Sequence, residues 1–277
     1  MNLVLSLCVN YDLEVFRRFI GSLFDSCKDT NLLLFIGKND EDKLLELMEV
    51  YDKLEYIIIE TNDKVHVVNQ RFYLYYNYLS TLCKSVYEYI FICDSRDVLF
   101  QNDIFKHNKI DNSDLYLFKE DTGVITIGTC KFNSSYVHKS GLDIFDMVKD
   151  KPIICVGTIL GTYNGIMRYL EMFVNILEND VKKELLKYYG VDSAVNYKIV
   201  YTSMLYKEIN IKVLSNSDNL VYTVAFPCYL DKIDYGNLLT ENRFIKNEDE
   251  IAYCVHQYDR FPIQIRKLMS NVYDFTI

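Results

Sequence analysis

Over the first 93 residues, short apolar runs alternate with helical periods, and that alternation limits the fold more than any other feature of the chain. Residues 2–8 read as a strand. Residues 13–27 read as a helix with Val15, Phe16, Phe19, Ile20 and Leu23 on one face, and 32–36 as a strand stopped by Gly37. A charged helix over 40–51, a strand at 56–59, a helix over 69–83 and a strand at 88–93 complete the series. Strands joined through helices pair side by side in parallel, so the series predicts an α/β fold with helices on both faces of the sheet.

The second half is less regular. Strands are expected at 115–118 and 153–156, helices at 165–177 and from Asp192, short strands beyond 211, a polar stretch at 237–250, and a terminal helix from Ile263. No internal repeat, low-complexity segment or Pro/Gly-rich linker interrupts the chain. One domain with an elaborated C-terminal half is the simplest expectation.

Composition narrows the function. The chain has 277 residues, half of them hydrophobic, enough for a sizeable core. Its net charge of −9 argues against a general nucleic-acid binder, which would carry a basic face. The eight cysteines (Cys8, Cys27, Cys83, Cys93, Cys130, Cys155, Cys228 and Cys254) mostly lie inside apolar runs and form no CxxC pair. Reduced core thiols in a reducing compartment follow as the expectation. The first apolar run, LVLSLCV, is short, lacks a basic flank and reads as a strand rather than a signal peptide. No apolar run approaches the ~20 residues of a membrane span. A cytoplasmic protein is expected, with peripheral membrane docking as the variant of that reading.

Within this frame, residues 89–100, YIFICDSRDVLF, place Asp94 and Asp97 at the end of an apolar strand. In open α/β sheets the ligand crevice lies beyond the carboxyl ends of the strands. Two carboxylates there suit a hard divalent cation such as Mg²⁺ or Mn²⁺. The plainer alternative is Asp94 as a cap and Asp97 paired with Arg96 on the surface. Far away in sequence, YCVHQYDR (253–260) presents His256, whose neutral imidazole is a further possible ligand. CVGTILGTYNG (155–165) carries three glycines that permit tight turns or close ligand approach, or simply join a strand to a helix. Asp192, in YGVDSAVNY, is a site residue or an N-cap. Arg71, amid the aromatics of NQRFYLYYNYL, reaches a phosphate or lays its stem along apolar surface.

Taken in order, VNYDLEVFRRFIGSLF, RFYLYYNYL, FICDSRDVLFQNDIF, CVGTILGT, GVDSAVNY and VHQYDR resemble the GT-A class of nucleotide-sugar-dependent glycosyltransferases over nearly the whole chain. The resemblance implies a GT-A type, Rossmann-like mixed central sheet. It also implies one domain over 1–277, with a nucleotide-binding half at 1–110 and an acceptor-side half at 111–277. DSRD looks like the Asp-x-Asp motif of that class with one extra residue between the acids. Carried over residue by residue, Asp97, His256 and Asp94 would hold Mn²⁺ or Mg²⁺. Val9, Tyr11 and Asp12 would sit by the nucleotide base and ribose, and Arg71 would face the donor phosphates. Asp94 and Ser95 would also belong to the donor site, with Gly157, Thr158 and Gly161 beside donor sugar and acceptor. Asp192 would lie near the reacting sugar, although Ser193 follows it where relatives often carry Gln.

The implied function is metal-dependent transfer of a sugar from a nucleotide-sugar donor, a UDP-sugar first among them, to a hydroxyl of a glycan or other glycoconjugate. If the anomeric centre inverts, Asp192 is the first choice of base, with Glu120 and Asp121 next. If it is retained, Asp192 orients the donor sugar. Two other classes compete. A non-catalytic nucleotide- or carbohydrate-binding protein would explain the widened Asp spacing. A metal-dependent nucleotidyltransferase would need a Gly-rich, Lys/Arg-bearing loop after the first strand, which VNYDLEVF lacks.

Overall fold

The computed structural model describes residues 1–61, 63–82, 86–121, 123–202 and 205–273, with side chains up to residue 268. The chain begins β1 (Asn2–Cys8), α1 (Leu13–Ser26), β2 (Thr30–Gly37), α2 (Glu41–Met48), β3 (Leu54–Ile59), α3 (Val67–Ser80), β4 (Tyr89–Asp94) and β5 (Val98–Phe100). It continues through β6 (Leu115–Lys119), α4 (Lys131–Ser140), α5 (Phe145–Val148), β7 (Ile154–Thr162), α6 (Tyr163–Asn179) and α7 (Val191–Thr202). It ends with β8 (Ile211–Leu214), β9 (Val221–Thr223), α8 (Ala225–Tyr229), β10 (Lys246–Asn247), β11 (Glu250–Ile251), β12 (Cys254–His256) and α9 (Ile263–Tyr273). The architecture is mixed α/β, its sheet mostly parallel and flanked by helices, as the alternating runs predict.

Two compact units interleave along the chain. The first comprises Met1–Ile59, Phe91–Asn112 and Leu214–Ile277; the second comprises Glu60–Ile90 and Ser113–Val213. In the first unit the strand order is β3-β2-β1-β4. β1 and β2 pair in parallel from Asn2↔Thr30 to Cys8↔Ile36, and β2 and β3 from Leu32↔Leu54 to Gly37↔Ile59. Most of β1 and β2 is buried without alternation, the pattern of a parallel sheet covered on both faces. The predicted face of α1 is largely its buried one: Phe16, Phe19, Ile20 and Leu23 are all shielded.

The first unit also holds a three-stranded sheet, ordered β5-β12-β9, that periodicity does not reveal. β12 runs antiparallel to β5 and parallel to β9, over a core that includes Leu99, Tyr222, Val255, Tyr258 and Phe261. Buried Gln101 ties the polar 237–252 region to this core. Its amide donates to the carbonyls of Ile245 (3.0 Å) and Ala252 (2.7 Å), and its oxygen accepts from the Ile245 N–H (2.7 Å).

In the second unit β7, β6 and β8 are neighbours in that order, with β6 and β7 antiparallel. β7 extends to Thr162, so the expected strand at 153–156 is too short. Gly157, Thr158 and Gly161 lie within a strand rather than a turn. The buried Ile159 and Leu160 hold the run extended, and a Cβ on Gly161 would meet the Asp114 carbonyl at 2.5 Å. Thr162 then caps α6 by accepting from the Gly165 N–H (3.2 Å), and Phe72 of α3 stacks on Phe173 of α6 with ring centroids 3.7 Å apart. Before α7, Gly190 takes φ +87°, where a Cβ would run into the Tyr136 ring. Gly190→Ala is therefore expected to lower stability by about 1–3 kcal/mol, measured as a urea-midpoint shift. An unchanged midpoint would count against this packing.

The seven described cysteines are thiols rather than disulfides, six of them buried; Cys83 lies outside the described residues. Burial pushes the Cys27 thiol up to about 12, which suits an unreactive core group. Among the described residues no helix is long and apolar enough to cross a membrane.

Candidate functional site

The carboxyl ends of β1 and β4 are tied by short polar bonds. Ser6 Oγ donates to the Cys93 carbonyl (2.6 Å), and Ser95 Oγ donates to the Leu7 carbonyl (2.8 Å). These bonds fix the start of the DSRD turn, in which Ser95 is buried and Asp94 is partly exposed. The turn leads into β5, where Val98 stands opposite His256 of β12. That register sets Asp97, one residue earlier, beside the imidazole. Gln257 follows in the left-handed region at φ +61°, and its N–H donates to the Asp97 carbonyl (2.7 Å), locking the two segments together.

The outcome is a cluster of Asp94, Asp97 and His256, with one ligand atom from each lying within 4.8 Å of the others. His256 Nε2 is 3.5 Å from Asp94 Oδ2 and 3.9 Å from Asp97 Oδ1, while Nδ1 lies 3.4 Å from the Thr223 hydroxyl on β9. Thr223 is thus placed to accept from an Nδ1–H and leave Nε2 as the basic nitrogen facing the acids, the arrangement usual around metal-binding histidines.

Two carboxylate oxygens and an imidazole nitrogen are suitable donors for a hard or borderline divalent ion. Ligands held at about 2.1 Å can stand up to about 4 Å apart across one ion, so the observed spacing fits after a small contraction. Electrostatics agree with the geometry. Burial pushes the Asp97 carboxyl above its ordinary range; His256 draws it back, and Asp94 and Asp259 push it further up. Acids crowded in this way gain from a shared cation.

The Arg96–Asp97 pair suggested by the sequence does form, with Asp97 buried rather than on the surface, and further residues support it. Arg96 Nη2 bridges Asp97 Oδ2 (3.1 Å) and Asp259 Oδ2 (3.2 Å), and Arg260 Nη1 also reaches Asp259 Oδ2 (2.6 Å). Buried Tyr258 accepts from Arg18 Nη1 (2.9 Å) and donates to the Arg96 carbonyl (3.0 Å). The turn after β1, with Val9, Tyr11 and Asp12, is held by an ion pair between buried Asp40 and half-buried Lys43. Asp40 Oδ2 accepts from the Asn10 N–H (2.7 Å), Asp40 Oδ1 accepts from Lys43 (2.7 Å), and Lys43 donates to the Tyr11 carbonyl (2.6 Å). Asn10 at φ +58° makes that turn tight, and Asp12 precedes α1, where its carbonyl accepts from the Val15 N–H (3.0 Å). The Tyr11 phenol is pushed up to about 12 by burial and then by Asp94, placing it within the field of the acid cluster. In sequence, Asp40 and Lys43 look like part of a solvated charged helix; only the packing of β2 against the turn distinguishes them.

The second unit gathers another set. Arg71 of α3 and Asp192 in the first turn of α7 form a buried pair, Nη2 to Oδ2 at 3.1 Å. Arg71 Nη2 also lies 3.5 Å from the Val156 carbonyl, and its guanidinium sits 4.9 Å from the Phe72 ring centroid. Asp192 Oδ1 accepts from the Ser193 N–H (2.9 Å), and the Asp192 N–H donates to Asn69 Oδ1 (3.0 Å). Asn69 in turn donates to the carbonyls of Leu186 (2.7 Å) and Tyr188 (3.1 Å), fixing the approach to α7. Gly157 donates its N–H to Cys155 Sγ (3.3 Å), and Thr158 Oγ1 is buried with no hydrogen-bond partner among the described residues. Glu120 and Asp121 follow β6; the Glu120 N–H donates to the Ile153 carbonyl (2.9 Å), and Asp121 pairs with Lys119 at 3.5 Å.

No protein-family model matches the sequence, and no curated protein does. Solved structures do match the fold. A galactosyltransferase, LgtC, in complex with donor and acceptor sugar analogs, superposes with a TM-score of 0.62 at 12% identity, covering 100% of this chain and 97% of that one. Mouse xyloside xylosyltransferase 1, in its apo form, gives a TM-score of 0.53 at 13% identity, covering 95% of this chain and 100% of that one. The glycosyltransferase GlyE of Streptococcus pneumoniae TIGR4 gives 0.57 at 9% identity, covering 98% of this chain and 59% of that one. The chain therefore has the GT-A fold found in these glycosyltransferases.

Proposed function

We propose that the protein is a metal-dependent glycosyltransferase that moves a sugar from a nucleotide-sugar donor, a UDP-sugar first among them, to a hydroxyl of a glycan or glycoconjugate. The observation that carries this reading is the convergence of Asp94, Asp97 and His256 on a fold shared with solved glycosyltransferases. When bound by these three side chains, Mn²⁺ or Mg²⁺ would supply Lewis-acid stabilisation to the departing nucleoside diphosphate.

The protein's own residues divide the remaining work. Val9, Tyr11 and Asp12 are assigned to base and ribose, on a turn that Asp40 and Lys43 keep rigid without help from a ligand. Ser95 keeps the DSRD turn in register with β1. Gly157, Thr158 and Gly161 are assigned to the strand beside the donor sugar and acceptor, with the Thr158 side chain itself buried. Asp192 is already engaged by Arg71 on one oxygen and the Ser193 N–H on the other. That engagement favours holding and orienting a sugar hydroxyl over taking its proton, with Arg71 positioning Asp192 and adding positive charge on the donor side. Glu120 and Asp121 remain the acids assigned to proton transfer if the anomeric centre inverts.

The test is donor hydrolysis and transfer across a panel of nucleotide sugars, with and without Mn²⁺. Turnover of at least one donor, lost on adding chelator and restored by Mn²⁺, is expected. Nucleotide binding without turnover of any donor would replace this reading with that of a nucleotide-binding protein on the same fold.

A further inference from the structure

The residue that widens the acid spacing in DSRD brings a cation with it. Arg96 is about half exposed, with 47% of its side-chain surface accessible, yet it is not loose. A single nitrogen, Nη2, is held between Asp97 Oδ2 and Asp259 Oδ2 at 3.1 and 3.2 Å, and its backbone carbonyl is fixed by Tyr258. Asp97 thereby spends Oδ2 on the guanidinium and turns Oδ1 toward His256. Neither Nη1 nor Nε of Arg96 makes a hydrogen bond to any described residue. A half-exposed guanidinium anchored through Nη2 holds its unengaged Nη1 in place as a charged N–H donor for an oxyanion.

Charge supports the same conclusion. Asp97 and Asp259 pair with Arg96 and Arg260, and Asp94 stands beside His256, so with the imidazole neutral these groups carry one net negative charge. A divalent cation would turn that into one net positive charge, matched to a polyphosphate rather than a neutral sugar.

We propose that Arg96 is a diphosphate-binding residue, which contacts the nucleoside diphosphate through Nη1 while Asp97 and Asp259 hold Nη2. The assignment rests on the donor reading above. It also separates two contributions that a purely structural arginine would merge. As a cation beside the metal ligands, Arg96 opposes metal binding; as an anchored, charged N–H donor to phosphate oxygens, it favours the diphosphate.

The experiment is isothermal titration of the full chain and of Arg96→Gln and Arg96→Lys, first with MnCl2 alone and then with UDP or UMP at saturating Mn²⁺. Arg96→Gln is expected to bind Mn²⁺ as tightly as wild type or up to severalfold more tightly, while its preference for UDP over UMP shrinks by about tenfold. Arg96→Lys, which keeps the charge but has no second nitrogen to donate while the first is anchored on the acids, should fall between the two. Loss of Mn²⁺ and UDP affinity together in Arg96→Gln would make the residue a structural brace for Asp97 and overturn the assignment. An unchanged UDP preference would overturn it as well. If the wild-type chain binds Mn²⁺ but no nucleoside diphosphate, the donor reading fails first and this assignment with it.

Discussion

Asp97→Asn is expected to lower Mn²⁺ affinity by at least about 100-fold and to abolish metal-dependent donor turnover, because the amide keeps the shape of the side chain and loses its charge. The same substitution should leave the metal-free fold as stable as wild type or more so. Asp97 is 5% exposed, and burial raises its pKa above the unfolded value near 3.8, so the charged form weighs against folding at neutral pH. The sign of the pH dependence follows. Between 3.8 and the raised folded value the native state holds more protons than the unfolded chain, so this group's contribution to stability falls as pH rises. In EDTA, the contribution of Asp97 to wild-type stability should therefore rise on mild acidification, and Asp97→Asn should lack that component. Thermal midpoints at two pH values, with EDTA and with Mn²⁺, test both halves. Wild type should be stabilised by about 2.7 kcal/mol at a metal concentration 100 times its Kd, and the variant far less. An undiminished Mn²⁺ shift in the variant would remove Asp97 from the metal site.

The second large effect belongs to the buried pair in the other unit. Arg71→Met should destabilise the protein by about 3–5 kcal/mol, because it leaves the Asp192 carboxylate buried without its cation. Asp192→Asn should be milder in stability, since an amide oxygen can still accept from Arg71 or from the Ser193 N–H. The double variant should recover much of the loss seen in Arg71→Met, a non-additivity read from urea unfolding. Activity should order the variants differently: Asp192→Asn is expected to reduce kcat by roughly 100-fold through misorientation of the donor sugar while the protein stays folded. Full activity in folded Asp192→Asn would dismiss Asp192 from the reacting site.

The strands and helices of the first 93 residues were legible because their periods are regular and long enough to register. Asp94 and Asp97 stood out for a related reason: acids that interrupt an apolar strand need a partner or a cation. His256 was recognisable only through the order of motifs, since one histidine after an apolar run has many ordinary explanations. The short sheet β5-β12-β9 was not legible, because strands of three residues are too short to show a period. Helix α4, KFNSSYVHKS, was missed for want of apolar residues at helical spacing. In CVGTILGT the glycines suggested a turn, and burial of Ile159 and Leu160 overrode them.

Local chemistry thus decided the alternating α/β series and the presence of carboxylates at the end of β4, because periodicity and burial cost are properties of neighbouring residues. Tertiary structure alone decided which distant groups meet. The register of β12 against β5 brings His256 to Asp97 across more than 150 residues of chain, and the packing of α3 near the start of α7 joins Arg71 to Asp192. It likewise turned Asp40 and Lys43 from apparent surface charges into the brace of the first turn. Such pairings depend on long-range registers and close packing, which no local run of sequence encodes by itself.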